Sequence, residues 1–391
     1  MSVMSIRRFT AFELVPGFAA LLFSTSCLYN ESTAPTDAAE TELPPDASTP
    51  PANSDGSAPE ADAVEVSIAD ASSEGGPPCT SGWCAATVGV AEYANSGING
   101  FTADATYAYW TQTNEQGAGL FWLPLTGGTV RGLDNGSFEA AGVVNANASG
   151  VFFFLNNFDD PKPGSNYTSS QVNAGKSTYA TVGSMGAKVT AGAIAGDGTS
   201  VYWIDAANVS LMKGTPGGGT VTTLVAGLGT TTGELALEGG NVYWADTTSI
   251  RMVSSAGQGG AATTFQSGQV APGFVAADAN NVYWTTQGSL VRVPIGGGAL
   301  VTITSGQTFS YVAIDATSFY WSTGTQIEEV PLLGVGVTPT VLYALATGAG
   351  EADEHPYGLA VVGSCLYWIG GVSQSVLRSL TPRAMTGGET I

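Results

Sequence analysis

A single histidine, His355, is the only imidazole in a chain of 391 residues. It stands in the run Glu351-Ala352-Asp353-Glu354-His355-Pro356-Tyr357, where three carboxylates and an imidazole could hold a cation or exchange a proton. A histidine with no second histidine or nucleophile beside it gives poor support for hydrolysis, and a solvated acidic loop explains the same residues. A second cluster lies between Phe154 and Gln171: Asn156, Asn157, Asp159, Asp160, Asn166 and Tyr167. Its oxygens suit calcium, yet the spacing matches no known calcium loop. A loop that touches a partner, or plain surface drift, accounts for it as well. Glycine-rich turns such as Gly217-Gly218-Gly219 follow no phosphate-cradling pattern and read as hairpin turns.

The cysteines offer different chemistry. Arg7 and Arg8, then the apolar Gly17-Phe18-Ala19-Ala20-Leu21-Leu22-Phe23, then Ser24-Thr25-Ser26-Cys27, have the order of an export signal. Small residues leading into Cys27 resemble a bacterial lipoprotein signal, which implies acylation at that cysteine. Ser24 departs from the usual leucine, and Glu13 and Pro16 interrupt the apolar run, so cleavage to a secreted protein and an uncleaved anchor stay open. Export permits disulfides. Cys79 and Cys84 are close enough for a bridge across a turn, with metal binding the lesser reading for want of further ligands. Cys365, inside an apolar run, reads as a small buried hydrophobe, with a bridge to Cys79 or Cys84 as the alternative.

Charge narrows the partners. The net charge is −21, and residues 28–78 hold eleven Asp or Glu and no Lys or Arg. From residue 79 onward twenty acids face nine bases. Such a field repels nucleic acid and anionic lipid, so neither is an expected partner and the membrane is reached only through a lipid anchor. Residues 28–78 are rich in Ala, Pro, Ser and Thr and poor in large apolar side chains, which predicts a disordered acidic linker. As a random coil it would span about 40 Å.

The elements that must position any site are repeats. Tyr109-Trp110, Tyr202-Trp203, Tyr243-Trp244, Tyr283-Trp284, Tyr320-Trp321 and Tyr367-Trp368 recur in short apolar runs, with Val151-Phe152-Phe153 as a degenerate copy. Their mean spacing is about 43 residues, giving seven units. In one unit, Phe274 to Ala277, Val282 to Thr285, Ser289 to Pro294 and Leu300 to Thr304 read as four strands between turns. Asp104, Asp197, Glu238, Asp278 and Asp315 stand six residues before the tryptophan, with Asn147 and Val362 as exceptions. The second strands are apolar on both faces, which fits a sheet covered on both sides and not a sandwich strand with one wet face. The prediction is all-β: a seven-bladed β-propeller over residues 79–391 with four-stranded antiparallel blades. Ala85 to Ala91 supplies the outer strand that the last unit lacks and closes the ring.

Tyr202-Trp203-Ile204-Asp205, Tyr243-Trp244-Ala245-Asp246 and Tyr283-Trp284-Thr285-Thr286 resemble the YWTD repeat of low-density lipoprotein receptor class B propellers. They are similar also to bacterial exported propellers with YWTD-like or NHL-like repeats. Receptor propellers of that kind have six blades, one fewer than is counted here. The resemblance implies an extracellular binding or scaffold role without naming a ligand. The expected protein is therefore a non-enzymatic binder of a protein or glycan, held at a bacterial outer membrane or cell surface, or alternatively secreted. Contacts are expected from the Asn156 to Tyr167 and Glu351 to Tyr357 segments, with no cofactor unless calcium. A metal-assisted lyase or lactone hydrolase at the propeller channel is the competing expectation.

Overall fold

The computed structural model describes residues 79–382 apart from short stretches, of which 158–165, 169–183 and 345–355 are the longest. Among the described residues all helical and strand structure is strand, in seven antiparallel sheets. They are numbered here by the order of their innermost strands: Gly97–Ala103, Phe138–Asn147, Ala191–Gly196, Thr231–Glu238, Val275–Ala277, Val312–Ile314 and Pro356–Val362. Sheets 1 to 6 each run through four strands in chain order, inner to outer.

Sheet 7 departs from that plan. Pro356–Val362, Cys365–Gly370 and Ser375–Pro382 are followed outward by Trp83–Ala91 and then Cys79–Thr80, which makes five strands where four are expected. Trp83–Ala91 pairs with Ser375–Pro382 in register from Trp83↔Pro382 to Ala91↔Ser375. The fifth strand exists because Cys79 and Thr80 turn back on Cys84 and Trp83 as a hairpin.

Packing between sheets follows from the paired aromatics. All six Tyr-Trp pairs are buried to 5% exposure or less, and the degenerate Phe152-Phe153 is buried with them. Side chains alternate along a strand, so tyrosine and tryptophan enter different interfaces. In sheet 5, Trp284 packs with Tyr243, Ala245 and Ile250 of sheet 4, while Tyr283 packs with Phe319 and Trp321 of sheet 6. Each such ring removes roughly 150–250 Å² from water, worth about 4–6 kcal/mol before ordering costs. The inner strand of sheet 7 packs against that of sheet 1, as successive inner strands do from sheet 1 to sheet 5 and between sheets 6 and 7.

The recurring acid has a structural duty. Asp278 accepts the Asn280 and Asn281 amides on Oδ1 at 2.7 and 2.8 Å, and the Tyr283 hydroxyl on Oδ2 at 2.7 Å. Asp104, Asp197 and Asp315 take the same three partners in their sheets. One carboxylate thus caps the turn between strands one and two and ties it to the buried tyrosine. Burial works to raise the Asp197 and Asp278 carboxyls, but the amide and hydroxyl donors outweigh it and hold both below the usual range. Burial, then Asp278, pushes the Tyr283 phenol up to about 12. Glu238 does not reproduce this; its longer side chain folds onto the Gly239 amide at 2.9 Å.

Two residue readings are corrected. Cys365 is buried as expected, but it is disulfide-bonded and not a free small hydrophobe. Asn156 and Asn157 belong to the strand Gly150–Asn157, and Asn166 and Tyr167 to the strand Asn166–Thr168, where a loop is predicted. Tyr167 pairs with Leu155 and Ser184, so backbone pairing continues outward and leaves only 158–165 between the two strands.

Candidate functional site

The inner strands of six sheets, with Gly273 and Phe274 just before the inner strand of sheet 5, line one cavity of about 560 Å³, which is the space around which the sheets are set. The seven-unit repeat allows its wall to be read one level at a time. Ten residues before each tryptophan (Phe153 in sheet 2) stand Gly100, Val143, Ala193, Glu234, Phe274, Tyr311 and Gly358, and every one lines the cavity. Where the position six residues before the tryptophan is nearly constant, this one holds six residue types.

Local backbone explains why these side chains reach inward. In five of the inner strands the pairing register slips at or beside this level, between Ile98 and Gly100, Ala141 and Val144, Ala191 and Ile194, Thr232 and Ala236, and Pro356 and Leu359. A slip of this kind bends the strand and re-aims the unpaired residues. Glu234 sits inside the fourth of these. Gly100 and Gly358 have a different reason to be small: a Cβ would lie 2.9 Å from the Val144 amide nitrogen at the first, and 2.4 Å from the Phe101 Cβ at the second. Close packing of sheets 7, 1 and 2 therefore leaves that side of the cavity bare.

The result is a lopsided chamber. Glu234 is the only charged residue among the described lining, and the three sheets that follow its own, 5, 6 and 7, bring Phe274, Phe309, Tyr311 and Tyr357. Across from Glu234 lie the two glycines. Phe274 and Phe309 are anchored from behind, with ring centroids 5.6 and 6.1 Å from Phe319, itself fully buried. Tyr311 stays open to the lumen, and burial, then the neighbouring Tyr357, shifts its phenol upward. Tyr311 therefore remains a neutral hydroxyl at physiological pH.

Glu234 is held in an unusual state. Its side chain is exposed on the wall of the lumen, with protein packed around that lumen. Enclosure decides the direction, because water within a small lumen solvates a charge less well than bulk water. Burial pushes the carboxyl up to about 7, with no hydrogen-bond donor or cation among the described residues acting against it. A carboxyl near neutrality can hold a positive group or exchange a proton.

Of the residues singled out from sequence, Tyr357 lines this chamber. Asn156, Asn157, Asn166 and Tyr167 are placed by backbone only, at the strand ends flanking 158–165. Asp159, Asp160, Glu351, Asp353, Glu354 and His355 lie outside the described residues, as does Cys27. By strand order, the described strand ends Asn157 and Asn166 of sheet 2 and Pro356 of sheet 7 lie toward one face. Glu234 is the fourth of the eight residues of its inner strand, Thr231–Glu238. Sequence reading passed over Glu234 because the inner strands read as Ala, Val, Ile and Gly. The signal that finds it is the comparison of repeats at one fixed distance from the tryptophan.

No family model matches the chain, and no curated protein sequence matches it. Solved structures do. A catalytically inactive virginiamycin B lyase from Staphylococcus aureus, solved with quinupristin, aligns at TM-score 0.54 and 11% identity over 76% of this chain and 99% of its own. YCF48 bound to D1 peptide aligns at TM-score 0.52 and 10% identity over 78% and 99%. This chain is an all-β propeller with four-stranded antiparallel blades. At these identities the likeness establishes fold alone. A nidogen/laminin complex aligns at TM-score 0.41 and 19% identity over 54% and 83%, too loosely to bear on the argument.

Within a propeller the chamber is the central channel, and the seven residues compared above are its collar near one mouth. Among the described residues no three of His, Cys, Asp and Glu come together as a metal site.

Proposed function

We propose that this chain is a non-enzymatic binding propeller that takes its ligand at the mouth of the central channel. The observation that carries the proposal is the collar: one carboxyl and a run of aromatic rings around a space of about 560 Å³, within the range of small-ligand sites. Acid–base chemistry on a bound molecule needs a second group to stabilise developing charge, and the described lining adds only amides, hydroxyls and rings to Glu234. We read the seven sheets as seven blades of one ring, with Trp83–Ala91 as the strand that closes it; its pairing with Ser375–Pro382 supports that reading. We read Cys27 as the lipid anchor and residues 28–78 as the tether that carries the propeller away from a bacterial outer surface. A protein or glycan partner would meet segments 158–165 and 351–357 around the channel mouth.

The test is a fragment screen by ligand-observed NMR on the full chain, repeated with Ser310→Trp. Ser310 is an exposed lining residue, so an indole there narrows the mouth without entering the core. Hits that vanish in the variant support the channel as the site; hits that bind both proteins alike place the site elsewhere. A second reading has one observation in its favour, the near-neutral Glu234, which suits a general acid or base. Chemical turnover of channel-bound hits, abolished by Glu234→Gln, would establish it.

A further inference from the structure

We propose that the group received by the channel is an organic ammonium, seated between the Glu234 carboxylate and the aromatic rings of Phe274, Tyr311 and Tyr357. The proposal rests on the channel being the binding site, and it names the chemistry that site selects.

Three observations converge on it. First, water in a narrow lumen solvates a charge less well than bulk water does, and Glu234, exposed on the lumen wall, is the lone charged group of the described lining. A positive guest supplies a partner for it, whereas an anion would be repelled. Second, the rings occupy consecutive blades beginning with the one after Glu234, and electron-rich ring faces attract alkylated ammonium groups. Tyr311, with a neutral phenol open to the lumen, is the most accessible of them. Third, the bare side at Gly100 and Gly358 leaves room for the alkyl part of a guest, because neither glycine can grow without striking a neighbouring blade.

Competing occupants fit less well. Calcium or magnesium needs about six oxygen ligands, and the described lining offers one carboxylate with amides and hydroxyls spread over separate sheets. A neutral sugar would use the rings but would gain nothing from a lone carboxylate. The propeller's acidic balance, twenty acids to nine bases from residue 79 onward, also draws cations toward it.

The groups facing Glu234 can be named blade by blade. Ala193 and Ile194 of sheet 3 do not titrate, nor do Phe274 and Thr285 of sheet 5. Farther round the lumen stand Asn99, Asn145, Ser310 and the phenols Tyr311 and Tyr357. In the described lining Glu234 is thus the one carboxyl that can make cation binding depend on pH below 8. Its pKa of about 7 gives the sign: the carboxylate form binds, so affinity rises with pH through neutrality and levels off above it.

Isothermal titration of the full chain near pH 8 with choline, propylammonium and 3,3-dimethylbutan-1-ol tests this. The alcohol copies the shape of choline without its charge. Choline or propylammonium should saturate one site, the alcohol should bind at least about tenfold more weakly, and Glu234→Gln should cost about tenfold or more. Between pH 8 and pH 5.5 affinity should drop with the ionised fraction of Glu234, by up to about thirtyfold and by no more than Glu234→Gln costs. Choline favoured over propylammonium would assign a quaternary guest, and the reverse a primary amine. Tyr311→Leu, which leaves the carboxyl in place, should weaken choline several-fold and serves if Glu234→Gln folds poorly. No saturation by either cation up to about 10 mM overturns the proposal. Equal binding of choline and the alcohol, unaffected by Glu234→Gln but blocked by Ser310→Trp, overturns the cation and leaves the channel standing. Cation binding unaffected by Ser310→Trp overturns both.

Discussion

Replacing Glu234 with Gln should stabilise the unliganded protein, and only at pH values where the native carboxyl is forced to ionise. The folded carboxyl sits at about 7 against an ordinary 4.5, so the folded state holds its proton more tightly than the unfolded chain does. Below about pH 4.5 both states are protonated and the residue is neutral in its effect. From there to about pH 7 the unfolded chain has shed the proton and the folded protein has not, so stability falls as pH rises. Above 7 the penalty is constant. Unscreened, it would amount to about 3 kcal/mol at 1.36 kcal/mol per pH unit. Glu234 keeps an open surface to lumen water, so screening cuts that to about 1 kcal/mol. Gln keeps the shape and removes the ionisation. Differential scanning fluorimetry of wild type and variant should give equal melting temperatures near pH 4, and a variant about 2–4 °C higher near pH 8. Other carboxylates titrate alike in both proteins and cancel in the difference. A variant that melts lower at both values, or higher by the same amount at both, would refute the view that Glu234 is an enclosed, uncompensated charge.

Asp278→Ala should cost about 2–3 kcal/mol in urea unfolding, because it strands two turn amides and the Tyr283 hydroxyl together; Tyr283→Phe should cost about 1 kcal/mol. Val209 holds a left-handed φ of 48° in an exposed turn, a conformation that β-branched side chains resist. Val209→Gly should therefore raise stability by about 1 kcal/mol, measured the same way. Cys27→Ala should abolish incorporation of labelled fatty acid and move the protein to the soluble fraction. Unchanged membrane association would end the lipoprotein reading.

What the sequence disclosed about the fold, it disclosed through repetition. Tyr-Trp pairs at even spacing located the second strand of each blade, because only sheets covered on both faces bury aromatic bulk on both. The acid six residues earlier was equally legible as a turn residue, although its bond to the tyrosine hydroxyl needed the structure. The extra hairpin strand at Cys79–Thr80 was hidden, since two residues carry no periodicity. The strand character of Asn156, Asn157, Asn166 and Tyr167 was hidden too, because polar residues at a sheet's end look like loop. The bridge at Cys365 could not be separated from simple burial, as an apolar neighbourhood suits both.

Glu234 was missed for a more instructive reason. A motif search looks for residues that agree with a template, and in a propeller agreement among blades marks what every blade must do alike, which is pack. Asp104, Asp197, Asp278 and Asp315 agree because each caps the same turn. A ligand in the channel meets all the blades at once and is not symmetric, so the residues that recognise it have to break the repeat. The collar does this with Glu234, Phe274 and Tyr311 on one side and bare glycine on the other, while Gly100 and Gly358 are fixed by packing alone. Chemistry in a repeat architecture should therefore be sought at the inward position where the units agree least, provided that position is not held small by a neighbour's backbone. Here that criterion selects one carboxyl and the rings beside it.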